Sequence, residues 1–147
     1  MTATAPYQID FSGPLAAVGG LNPLPLAQQL AGRIKGVKPF DPARIGLYRS
    51  DGQKLGQAMT VQGMRDAFAR IEHYGAHALE FFLANLGLVP NVWKGTNVYF
   101  LTFYTDGRDL WLRGLTFYGS EGWGESRRCL SMPWPHDIPI AVPNMAC

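Results

Sequence analysis

The sequence predicts an α+β domain in which a single antiparallel β-sheet of about five strands packs on one long helix, with a shorter helix nearer the N-terminus. Three observations predict it. Apolar residues between Thr60 and Gly87 recur at the three- and four-residue spacing of a helix face. Two Asp-Gly pairs, Asp51-Gly52 and Asp106-Gly107, each stand between strand-like runs, and Asp-Gly supplies the positive φ angles of a two-residue hairpin. The runs around the second pair, NVYFLTFYT and RDLWLRGLTFYG, are the clearest strands in the chain.

In order, Ile9 to Phe11 reads as a short edge strand before the Ser12-Gly13-Pro14 turn. Asn22-Pro23 is a cap followed by a first-turn proline, and Leu24, Ala27, Leu30, Ala31 and Ile34 form one stripe, which predicts a helix over about 23–35. Val37 to Pro42 reads as a linker. Ile45–Ser50 and Gln53–Ala58 make a first hairpin about Asp51-Gly52. The long helix, about 60–86, opens on Thr60 and closes at Gly87, with Pro90 beyond it. Gly75 lies in the middle of its apolar stripe, where close approach of a neighbour or a break into two helices would explain it. The second hairpin follows, then a strand at about Glu125 to Met132. The prolines at 133, 135, 139 and 143 leave only an edge strand at Ile138 to Val142. This order of elements is similar to that of cystatin- and NTF2-type folds, although no residue motif carries the likeness and no function follows from it.

A chain of 147 residues, 47% hydrophobic and 16% charged, makes one domain that needs no disulfide or metal to hold its core, with flexible ends expected at 1–8 and 143–147. Thirteen basic and eleven acidic residues lie scattered, without the basic block that nucleic-acid binding calls for. The N-terminal stretch has no cationic n-region, and nowhere do eighteen apolar residues run together. A soluble, cytoplasmic protein without a membrane partner is the expectation, with Cys129 and Cys147 as reduced thiols.

The second hairpin has one apolar face, Tyr99, Leu101, Phe103, Leu110 and Leu112, suited to the long helix. Its other face carries Phe100, Thr102, Trp111, Arg113 and Phe117, with Val98 and Leu115. That face is covered either by the first helix or the C-terminal tail, or by a second copy or a partner protein, since Trp and Arg are enriched at the centres of such contacts. On the long helix Glu72 sits beside the apolar stripe. If desolvated, it is the candidate general acid or base, with Tyr48, Tyr99 and Tyr118 as the ligand-binding hydroxyls nearest to a pocket between helix and sheet.

Other groupings carry less. His73, His77 and Glu80 read as a solvated helix face and not as a metal site; Tyr74 occupies the position where a zinc-protease helix has its glutamate. Gly119, Gly122 and Gly124 have the wrong spacing for a phosphate loop. Cys129, His136 and Asp137 lack any spacing that would make them a catalytic set.

No cofactor is implied. The sequence therefore predicts a small binding domain for an apolar or aromatic ligand or a protein partner, expected to self-associate as a homo-oligomer such as a dimer. Its alternatives are a cofactor-free isomerase, dehydratase or hydrolase built on Glu72, and an inhibitor or immunity-type partner protein.

Overall fold

Residues Val98–Thr105 are aromatic, β-branched or leucine throughout, and this strand, buried on both faces, is the one around which the molecule is built. The computed structural model describes residues 7–143. Its elements in chain order are β1 (Tyr7–Asp10), β2 (Asn22–Pro23), β3 (Val37–Phe40), β4 (Ile45–Tyr48), α1 (Asp51–Lys54), α2 (Val61–Phe68), α3 (Ala76–Ala84), β5 (Val98–Thr105), β6 (Leu110–Phe117), β7 (Trp123–Cys129) and β8 (Ile140–Pro143). Six strands form one sheet in the order β4-β8-β5-β6-β7, with β2 also on β5; β1 and β3 make a separate ribbon. β8 runs parallel to β5 and antiparallel to β4, so the single antiparallel sheet expected from the sequence is in fact mixed.

One edge of β5 pairs with β6, and the other is satisfied piece by piece. Tyr99 N–H donates to the Pro139 carbonyl where β5 meets β8. Beyond that point Tyr74 sits between the two strands. Its carbonyl accepts from Leu101 N–H, and its own N–H donates to the Ala141 carbonyl. Gln29 then takes both backbone groups of Phe103, accepting from the N–H at 2.7 Å and donating to the carbonyl at 3.0 Å. β2 completes the edge at Tyr104 and Thr105.

The long helix expected over 60–86 is two helices on opposite faces of the sheet. Met64 and Phe68 of α2 pack with Tyr99, Leu101, Phe103 and Leu112, whereas Ala78, Leu79 and Phe82 of α3 pack with Val98, Phe100 and Leu115. Successive β5 side chains point to opposite faces, so residues 69–75 carry the chain from one side to the other past Tyr74. The break falls at Gly75. A Cβ there would overlap Thr102 Oγ1, which accepts a hydrogen bond from Ala76 N–H at 2.7 Å and so opens α3.

The other corrections have local causes. No helix spans 23–35: Leu24 precedes Pro25, which disfavours helical backbone at that residue, and it donates instead to the Phe103 carbonyl. A single 3-10 turn, Leu26–Gln28, is the helical structure there. Asp51-Gly52 opens α1 and is not a hairpin. Ser50 and Gln53 form a reciprocal capping box, the Ser50 hydroxyl accepting from Gln53 N–H and the Gln53 carboxamide accepting from Ser50 N–H, and this outweighs the turn preference of Asp-Gly.

Val37–Phe40, expected as linker, pairs with β1. β8 lies inside the sheet and not at its edge. The hairpin at Asp106-Gly107 is present, with Thr105 opposite Leu110 across a longer loop. A bulge between Phe100 and Tyr104 inserts two extra residues in β5, and because the shift is even, each side chain keeps its expected face. The cystatin-like arrangement falls with the long helix.

Tyr7 and Gln8 begin β1 and Pro143 ends β8, while the remainder of the two ends expected to be flexible lies outside the described residues. Among the described residues no helix is long and apolar enough to cross a membrane.

Candidate functional site

Three features of the fold meet where α3 begins. The bulged stretch of β5 presents Thr102 to the helix start. Gln29, locked to Phe103, also donates to the Leu24 carbonyl at 3.1 Å and so holds the Pro23–Leu26 segment in place. From the helix itself His77 reaches the loop after β1, its Nε2 lying 2.7 Å from the Gly13 carbonyl. A carbonyl only accepts, so Nε2 carries the proton.

Between these parts lies a cleft of about 210 Å³, walled by Phe11, Leu15, Leu24 and Ile34, with Arg33 and His77 at its polar positions. No acidic residue lines it. Larger hollows of about 310 to 510 Å³ exist; those of about 500 Å³ and 510 Å³ are more open grooves lined mainly by polar side chains, and one of about 310 Å³, lined by Ile9, Val18 and Glu80, adjoins the cleft across Pro14, Leu15 and His77. A partly open apolar cleft with a few convergent polar groups is the better ligand site.

No protein-family model matches the chain. Nor does any curated protein or solved structure. The site is therefore read from its own geometry.

The residues singled out in the sequence do not converge. Glu72 is exposed, in a groove shared with Arg33, Lys35, Lys38 and Arg70, so the burial its role as acid or base depended on is missing. Tyr48 packs edge-on against Phe68. Tyr99 Oη lies 2.7 Å from Ser126 Oγ on the α2 side of the sheet, and exposed Tyr118 donates to the Glu125 carbonyl at 3.2 Å. None of the three adjoins Glu72.

The proposed interface face is covered by α3. Phe100 is in the core, Thr102 caps the helix and Arg113 is 2% exposed. Trp111, bonded to Asp106, and Phe117, packed edge-on against Trp123, are the two that keep part of their surface.

Arg113 is instead the centre of an ion network. It donates to both oxygens of Glu125 at 2.8 and 3.1 Å, lies 2.7 Å from Glu80 and donates to Tyr104 Oη at 3.0 Å. Burial alone would lower its pKa, but the hydrogen bonds it donates to Glu125 and Glu80 outweigh that and raise it. Glu125 is likewise held below the usual carboxylate range: burial opposes ionisation, and the bonds from Arg113 and Arg127 overcome it. The network joins α3 to β6 and β7, which is a structural role for these charges.

His73, His77 and Glu80, expected on one solvated helix face, are separated by the break. His73 is buried at the crossing, His77 holds the loop and Glu80 pairs with Arg113. Among the described residues no cluster of three or more His, Cys, Asp or Glu is placed to hold a metal ion.

Sequence reasoning missed Arg33, Gln29 and His77 as lining residues. Arg33 and Gln29 were assigned to a helix that does not form, and nothing in the local sequence shows that Gln29 bonds a strand more than seventy residues away.

Proposed function

We propose that the protein is a binding domain for a small apolar ligand, taken up in the cleft at the start of α3. The observation that carries this reading is a partly open apolar cleft framed by committed hydrogen bonds, those of Gln29, Thr102 and His77, which hold its walls apart without a ligand. Its volume suits one ring or a short branched chain, since an apolar cavity of about 150 Å³ is enough for benzene.

The test uses toluene as a neutral probe in amide-correlation NMR spectra. Shifts should gather on Phe11–Leu15, Leu24–Leu26 and Gly75–His77, and Leu15→Trp, which adds bulk to the wall, should weaken binding at least tenfold. Shifts centred elsewhere, or unchanged binding in the variant, would dismiss the cleft as the site.

A further inference from the structure

We propose that the ligand of this cleft ends in an anionic head group, in the simplest case a carboxylate, held by Arg33 beside the apolar wall. The inference rests on the reading of the cleft as a ligand site and adds its chemical class.

The charge on Arg33 is available. Its guanidinium carries five N–H donors, yet among the described residues it makes one hydrogen bond, from Nη1 to the Leu30 carbonyl at a long 3.3 Å. Among the described residues the ion pairs belong to Arg113 and Arg127, and Arg33 is in none. It is half-buried, so its charge is less screened than that of a surface side chain. A carboxylate matches this fork in geometry as well as in sign.

The surroundings agree in sign. The cleft has no acidic residue, and the groove on the far side of Arg33 carries Lys35, Lys38 and Arg70 against the single acid Glu72. Such an array draws anions toward Arg33. The first turn of α3 contains no acidic residue, and Gly75 at its cap supplies no side-chain acceptor, so the positive end of the helix is not neutralised from within. Thr102 accepts from Ala76 N–H through its oxygen and keeps its own proton as a donor at the cleft wall. One unpaired cation and no acid fit a monoanion, and the volume leaves room for a single ring or a short branched chain behind it.

The experiment compares phenylacetate with phenylacetamide, nearly equal in shape and different in charge, by calorimetry and amide-correlation spectra on the full chain. Phenylacetate should bind at least about tenfold more tightly, as a charge-assisted pair requires. In Arg33→Gln the two should bind within about twofold of each other, with the amide unaffected. Equal affinities in the wild type, or a preference that survives Arg33→Gln, would overturn the anionic head group while leaving the cleft as a site for neutral ligands. If neither compound moves the cleft amides, the proposed function itself fails and the inference with it.

Discussion

His73 shows what a single residue contributes to this fold. It is 0% exposed, and its Nδ1 lies 2.7 Å from the Ile71 carbonyl, so Nδ1 carries the proton and Nε2 is left as an acceptor with no partner. Protonation would place a cation in the interior beside Arg33, with a new N–H and nothing to accept from it. Burial therefore holds its pKa below the usual histidine value; the Ile71 bond opposes this in part and the charge of Arg33 adds to it. A depressed histidine means that the unfolded chain binds the extra proton first. Stability from this source is fully present above about pH 6.5 and is lost as pH falls from there toward the folded-state value. Glu125, also depressed, acts in a separate and more acidic window, below the ordinary carboxylate range. Thermal melts between pH 7 and 5 should show Tm falling in the wild type and nearly level in His73→Gln. Parallel slopes in the two proteins would mean that His73 is not the group that titrates.

At the scale of elements, the crossing between α2 and α3 decides the architecture, and it was half legible. The apolar stripe Val61, Met64, Phe68, Ile71, Ala78, Leu79, Phe82 keeps helical spacing through the break, because each half needs an apolar face of its own, although the faces pack on opposite sides of the sheet. Gly75 was the visible anomaly; that Thr102 fills its missing Cβ was not, since the two are 27 positions apart. Asp51-Gly52 reads as a turn in the sequence, where the Ser50-x-x-Gln53 spacing that opens α1 as a capping box went unweighed. In a continuous helix, Gly75→Ala would stabilise by about 1 kcal/mol. Here the added methyl meets Thr102 Oγ1 and displaces the cap on Ala76, so the same change should destabilise, by about 2–3 kcal/mol from overpacking and cap loss together. Urea unfolding of Gly75→Ala, Thr102→Ala and the double variant reads the sign directly. The double variant should cost less than the sum of the two, because removing the hydroxymethyl makes room for the alanine. A stabilised Gly75→Ala would contradict the break.

For the molecule as a whole, the chain's last strand holds its middle. Four prolines after Met132 argued for an irregular tail, because proline removes ladder donors, yet Pro139 stands just before the segment that pairs and Pro143 is its last residue, opposite Ile45. Ile140 lies between β4 and β5, and β4 has no other strand partner among the described residues. The same segment accepts from Tyr74 N–H through Ala141, and through the Ile138 carbonyl it accepts from the Gln53 carboxamide and the Trp134 indole. These pairings join parts of the chain as far apart as Ile45 and Pro143, and no local propensity encodes them; that is why the hairpin around Asp106-Gly107 was legible while the place of β8 was not. Ending the chain after His136 would therefore unpair β4, orphan the donors of Tyr74 and Trp134, take one of its two acceptors from the Gln53 carboxamide, and remove Ile138 and Ile140 from the core. Such losses exceed the marginal stability of about 5–15 kcal/mol that a domain of this size has to spare. The truncated chain should show no cooperative unfolding transition and a collapsed amide spectrum. A dispersed spectrum with a cooperative melt would instead mean that β5, β6 and β7 fold with α3 alone, and that β4 and β8 are a later addition to an already sufficient core.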